Sequence, residues 1–291
     1  MSMKTPVPEA KFGMGLDLSR PDEISEDEKE SFKKIFAAIT GRQHLGLNFW
    51  LDTRPDILKR YRIWADKINT RGDLRAYNPN GYGFVYLYGI TGYTAGAKYI
   101  VTAEQSLGLS REQVLEGIAT AFLWLGPRGM ETVALGLSDY EWKNPEFQPR
   151  MPANWAPDPK GFTSGLDFET PDLSDAELLR LKEWYLRVEG EIPRYVEFLD
   201  ANGRRLLKAY RHRFETALTV LPKQVMPYVM IDVNVMRGHR EGIREGVLLA
   251  RGFGMTKEQV AEAIAWGMFY GGVSAGSIVD EAAGDVLGAW A

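Results

Sequence analysis

Gly108-Leu-Ser-Arg-Glu-Gln-Val-Leu-Glu-Gly-Ile-Ala-Thr-Ala-Phe-Leu-Trp-Leu-Gly126 and Gly254-Met-Thr-Lys-Glu-Gln-Val-Ala-Glu-Ala-Ile-Ala-Trp-Gly-Met-Phe-Tyr-Gly-Gly272 carry the same helical signal twice. At a constant offset of 146, 8 of the 19 positions are identical and no gap is needed. Each copy opens with a capping box, Ser110 with Gln113 and Thr256 with Gln259, which satisfies the free N–H groups of a helix start. Apolar residues then recur at helical spacing, Val114, Ile118, Ala121 and Phe122 in one copy and Val260, Ile264 and Met268 in the other. Upstream, Leu58-Lys-Arg-Tyr-Arg62 faces Leu207-Lys-Ala-Tyr-Arg211 at an offset of 149, so three residues were gained or lost between the matched blocks. A period this long is a repeated domain, because about 100 residues can bury a core of their own. The expected fold is all-α, a tandem duplication of one helical unit.

Residues 1–30 read as an N-terminal arm, with Pro6, Pro8 and Pro21 and the charge run Asp22-Glu-Ile-Ser-Glu-Asp-Glu-Lys-Glu30. The first unit is expected over 31–137 and the second over 174–291. Between them, residues 138–173 hold six of the fifteen prolines, mixed with Tyr140, Trp142, Phe147, Trp155, Phe162 and Phe168. Proline denies this stretch helix and interior strand, and so many aromatics do not suit a solvated linker. An extended strap on the protein surface is the expectation. Ser174 and Glu177 then form a further capping box, with Leu173 and Leu178 as its hydrophobic staple. Tyr82 to Tyr88 is the one β-prone stretch that competes with this helical reading.

Composition excludes several functions. Hydrophobic content of 45% and charged content of 25% are those of an ordinary globular chain. A net charge of −4 with no basic run argues against a nucleic-acid partner, and no apolar stretch suggests a membrane. The absence of cysteine removes disulfides, thiolate metal sites and thiol catalysis together. Three isolated histidines, His44, His212 and His239, give no metal-ligand spacing, so no metal is expected. No dinucleotide fingerprint or P-loop is present, so no nucleotide cofactor is expected either. With a polar, acidic N-terminus, a cytoplasmic location is the expectation.

An apolar helix, a short glycine-containing turn, a second helix ending in Gly-[Leu/Met]-[Ser/Thr]-[Arg/Lys]-Glu-Gln-Val and a third ending in Gly resemble the carboxymuconolactone decarboxylase and AhpD-like alkylhydroperoxidase superfamily. The resemblance covers both units and leaves the arm and strap unexplained. Its peroxidase branch carries Cys-x-x-Cys-x-x-x-His on the second helix and a Glu upstream. Those positions fall on Tyr93, Gly96, Ile100 and Gly81 in the first unit, and on His239, Gly242, Gly246 and Pro227 in the second. The thiol relay is absent from both, so a peroxidase would have no nucleophile. The decarboxylase branch needs no cysteine pair, although it usually has the histidine that is Gly246 here. What the resemblance implies is a cofactor-independent lyase or decarboxylase, or a related hydrolase or isomerase, acting on a small carbonyl acid or lactone. The rival implication is a scaffold or binding protein that lost its site with its cysteines. Single-repeat relatives build rings of six, so a homo-oligomer is also implied, a trimer first and a dimer next.

The residues themselves admit two readings. On the helix that begins near His239, Gly242 and Gly246 share its face. Two glycines there cost about 0.8–1.0 kcal/mol each relative to alanine, so the face has a use for missing side chains. Either another backbone packs closely, or the face is hollowed for a substrate. In the second case His239 is the candidate general acid, and Asn234 on the preceding helix orients a carbonyl. In the first unit Tyr93, Tyr88 and Glu104 are the corresponding acid-base candidates, with an amphipathic core edge as the alternative. Arg237, with Arg240 and Arg244, is a candidate for binding an anionic substrate, or simply a solvated surface charge.

Overall fold

A computed structural model describes residues 15–40, 45–68, 74, 78–155 and 161–290. Among the described residues there are fourteen helices and no strand, so the chain is all-α as its patterning implies. The β-prone stretch around Tyr82 lies inside a helix. The helices form two runs of seven. The first run is α1 Glu26–Thr40, α2 Leu45–Thr53, α3 Pro55–Ile68, α4 Asn80–Thr91, α5 Thr94–Ser106, α6 Arg111–Ala121 and α7 Pro127–Leu137. The second is α8 Asp175–Val188, α9 Arg194–Asn202, α10 Arg204–Thr216, α11 Val225–Arg237, α12 Arg240–Gly252, α13 Lys257–Gly271 and α14 Ala275–Gly288. Corresponding helices begin 149 residues apart in the first three pairs and 145–148 apart in the other four. The three-residue difference read from the sequence falls between the third and fourth helices of each run.

Contacts gather the chain into two compact units, Met1–Val114 with Leu125–Met151, and Leu115–Trp124 with Pro152–Ala291. In the first, α4 packs on α5 and α7, α5 packs on α7, and α1 packs on α5. In the second, α11 is central, with α12, α13 and α14 packed against it. Every α11 residue from Val225 to Val235 is buried. Both central helices stop at a left-handed glycine, Gly92 with φ 73° and Gly238 with φ 63°. A side chain there would strain the backbone. These stops place Tyr93 and His239 as the N-caps of α5 and α12.

The expected arm is corrected from residue 15 onward. Ser25 and Glu28 form a capping box for α1, Glu28 N–H donating to Ser25 Oγ at 3.2 Å and Ser25 N–H to Glu28 Oε2 at 2.8 Å. The Glu28 carboxylate also accepts from Lys59 Nζ at 2.7 Å. Lys59 is fully buried and donates to the carbonyls of Asp17, Arg20 and Glu23 as well. The same arrangement recurs 149 residues later: buried Lys208 donates to the Asp172 carbonyl at 2.7 Å and to Glu177 at 2.8 Å. Burial opposes ionisation of Glu28, but Lys59 and two backbone N–H groups prevail and hold its carboxyl down at about 2. Lys208 and Ser174 hold Glu177 at about 2 likewise. Acidic residues that look solvated in sequence are therefore anchors.

The described residues of the expected strap are irregular, and they divide between the units. Its first part belongs to the first unit, where Tyr140 Oη donates to Gln105 and Phe147 lies against Gly108. The later part is built into the second unit. There Trp155 Nε1 donates to Gln259, Phe162 stacks on Phe214 at 5.7 Å and Phe168 on His212 at 4.6 Å. Trp155 and Phe162 are buried, so this part is core rather than surface dressing. A further correction concerns α6, whose residues from Leu115 onward group with the second unit. Glu116 accepts there from the N–H groups of Thr219, Val220 and Leu221, at 2.5, 2.9 and 2.8 Å.

Candidate functional site

A cavity of about 890 Å³ opens in the second unit between the α8–α9 connection, α9, α12 and α14. Its walls include Glu189, Tyr195, Phe198, Arg194, His239 and Glu245. A volume of this order suits a small molecule. Three elements bring its chemistry together. The C-cap of α8 supplies Glu189, the first turn of α9 supplies Tyr195, and the face of α12 turned away from α11 supplies Glu245.

Hydrogen bonds run inward from the cavity. Tyr195 Oη donates to Glu245 Oε1 at 2.7 Å and lies 2.7 Å from Tyr185 Oη. Beneath them Arg211 is buried, its guanidinium 3.6 Å from the centre of the Trp184 ring and 5.8 Å from that of Tyr185. Arg211 donates to Glu215 at 2.5 Å and to the Phe162 carbonyl at 3.0 Å. Glu189 is 1% exposed, and neither of its oxygens has a hydrogen-bond partner.

Burial sets the electrostatics. It pushes the Glu245 carboxyl up to about 7, with the Tyr195 hydrogen bond and Arg211 pulling the other way. Glu189 is raised well above the carboxylate range by burial and by the neighbouring Glu245, against Arg211. Burial also raises Tyr185, Tyr195 and Tyr210, which stay protonated as donors. Two neighbouring carboxyls that burial pushes upward, Glu189 also by repulsion from Glu245, are candidates for acid-base work. The rim is differently organised: Arg244 is held by Glu191 at 2.6 Å and by Asp285 at 2.8 Å, and Arg240 pairs with Glu281. Those pairs leave the two rim arginines fixed in place.

The residues singled out from sequence are dispersed. His239 borders the cavity with its side chain 52% exposed, and its Nδ1 accepts the Gly242 N–H at 3.1 Å as the cap of α12. Asn234 is buried and donates to the Met230 carbonyl at 2.8 Å. A Cβ on Gly242 would run into the Asn234 side chain, and one on Gly246 would lie 2.8 Å from Ile231 Cγ1. Of the two readings of the Gly242 and Gly246 face, the close contacts with α11 fit the packed one and leave no hollow there. Arg237 is exposed on the last turn of α11, outside the cavity lining.

In the first unit, the rings of Tyr88 and Tyr93 meet edge to face at 5.2 Å and fill the space a Cβ on Gly96 would need. Burial raises the Tyr88 phenol. Glu104 does not join them. It sits at the far end of α5, beside Gly81, and accepts from Asn78 Nδ2 at 2.5 Å. Burial raises its carboxyl far above the usual range. His44 lies outside the described residues.

Glu189, Tyr195 and Glu245 escaped the sequence reading. Gly242 and Gly246 mark the face of α12 that meets α11, whereas Glu245 lies off that face and lines the cavity. The available signal is the repeated Tyr-Arg at 61–62 and 210–211, a charge recurring at one offset in two amphipathic helices. Among the described residues, no three His, Asp or Glu side chains cluster as a metal ion would require. No helix of the described residues is long and apolar enough to cross a membrane. Comparison with protein families, curated proteins and solved structures gives no match.

Proposed function

We propose that the second unit is an acid-base enzyme on a small carbonyl acid or lactone, a lyase, decarboxylase or isomerase that works without a cofactor. The observation that carries this reading is Glu245, raised to about 7 and held by Tyr195 at the wall of an 890 Å³ cavity. Such a group gives and takes a proton at neutral pH with little driving force lost in either direction. In this reading Glu245 removes a proton next to the carbonyl, or protonates the carbanion left as carbon dioxide departs. Tyr195, which donates to Glu245, holds that carboxyl in place for the step. His239, the acid expected from sequence, keeps a place at the rim. Arg194 is the wall cation left for an anionic group, while Arg237 stands outside the cavity.

A test is a screen of 2-oxo acids, 3-oxo acids and lactones in deuterium oxide, read by NMR for deuterium uptake or product. Uptake that vanishes in Glu245→Gln supports the reading, whereas uptake unchanged in that variant sinks it. One observation favours the non-catalytic scaffold instead, namely the packed Gly242 and Gly246 face. A clean screen together with an inert cavity would select it. The tandem duplication belongs to the same proposal, supported by the Lys59–Glu28 and Lys208–Glu177 pairs recurring at one offset. So do the trimer, with a dimer next, and the cytoplasmic location. Light scattering checks the assembly.

A further inference from the structure

Glu189 stands out among the cavity's groups because it is almost fully buried, borders the cavity, and has two oxygens that no protein donor reaches. Buried carboxyls are ordinarily bonded, and this one has a second carboxyl, Glu245, beside it. The walls cannot supply what is missing. Arg244 is engaged by Glu191 and Asp285, and Arg240 by Glu281. Tyr195 donates its hydrogen bond to Glu245. What Glu189 lacks is a hydrogen-bond partner, and an ammonium group supplies donors together with the charge that would let the buried carboxyl ionise. Next to it, Phe198 and the Tyr195 ring offer an aromatic wall of the kind that accepts cations and methylene groups. Arg194, also in the cavity wall, has no ion-pair partner among the described residues.

We propose that the cavity takes a small organic amine that also carries a carboxylate, its ammonium group on Glu189 beside Glu245 and its carboxylate toward Arg194. As a statement about substrate, this rests on the reading of the cavity as the reaction site.

Calorimetric titration of the full chain at neutral pH with n-butylammonium, 1-butanol, butyrate and 4-aminobutyrate tests it. The two amines should bind about tenfold or more tightly than 1-butanol and butyrate. Glu189→Gln should erase that advantage for the amines and leave 1-butanol unchanged. Arg194→Ala should bring 4-aminobutyrate to the level of n-butylammonium. An n-butylammonium affinity equal to that of 1-butanol overturns the proposal, and so does an affinity within about twofold of wild type in Glu189→Gln. If that variant does not fold, the ligand series on the unaltered chain decides alone. Amine preference absent while proton exchange on amine-free carbonyl acids persists removes the amine alone. Tight amine binding without any proton exchange keeps the site and removes the enzyme.

Discussion

The two runs of helices carry different linings at matched positions. In the second unit Tyr185, Glu245 and Tyr210 meet Tyr195, and Arg211 lies against Tyr185. Counting back by the same offsets gives Phe36, Tyr99, Tyr61 and Arg62 in the first. There Phe36 and Tyr99 stack at 5.5 Å with an interplanar angle of 11°, a ring pair where the second unit has a tyrosine and a carboxyl. Tyr195 is matched by Gly46, and Glu189 by Thr40. Retaining the tyrosine and arginine while exchanging everything that faces them separates two jobs. On the proposed reading, the Tyr-Arg pair serves the helix packing common to both units, and the acid pair serves the chemistry of the second.

The sharpest way to break that contrast is on turnover. Glu245→Gln is expected to lower kcat in the proton-exchange assay by about 10²–10⁴, while Tyr99→Phe leaves it unchanged. Equal losses would put the working site in neither lining. Next in size is stability. Lys59→Met and Lys208→Met each strand a buried carboxylate, and urea unfolding should show a loss of about 3–5 kcal/mol for each. A loss confined to one of the two would mean that the anchors are not equivalent. Gly246→Ile gives the second unit the residue that the first has at the matched position, Ile100. With Ile231 only 2.8 Å from the new Cβ, overpacking of about 1–3 kcal/mol is expected.

The carboxyls also divide by the sign of their pH dependence. Glu245 has a folded value of about 7, above the ordinary value of about 4.3. The folded chain therefore holds that proton more tightly, and stability falls as pH rises from about 4 to 7. Glu245→Gln should flatten thermal stability over that range. Glu28 and Glu177 have the opposite sign, held at about 2, so their contribution is present above about 4.5 and is lost as pH falls toward 2. Acid titration of Glu28→Gln should show the shallower loss. The smallest effect is expected from His239→Ala, about 0.5–1 kcal/mol for a lost helix cap, with kcat changed less than about tenfold.

Helices were legible wherever the sequence carried its own punctuation. The boxes Ser110–Gln113, Ser174–Glu177 and Thr256–Gln259 are all formed. The equivalent box at Ser25 was hidden in an acidic run, because the lysine that buries Glu28 stands 31 residues away. The site was less legible for a related reason. Periodicity identifies the face of α12 that meets α11, and Gly242 and Gly246 mark it, but glycines report close backbones as readily as empty space. Glu189 and Tyr195 flank a short connection with no period at all. Only the fold brings them to Glu245.

The docking of Glu116 has a consequence for synthesis. Helix α6 buries Ile118 and Ala121, and the N–H groups that hold Glu116 belong to residues 103–105 positions further along the chain. At a translation rate of roughly 5–20 residues per second, those residues leave the ribosome about 5–20 s after α6 does. Through that interval the nascent first half carries an apolar helix whose polar anchor has yet to be made. A ribosome-bound chain stalled before Thr219 is expected to be cut by protease near α6, and one released past α11 is expected to be protected there.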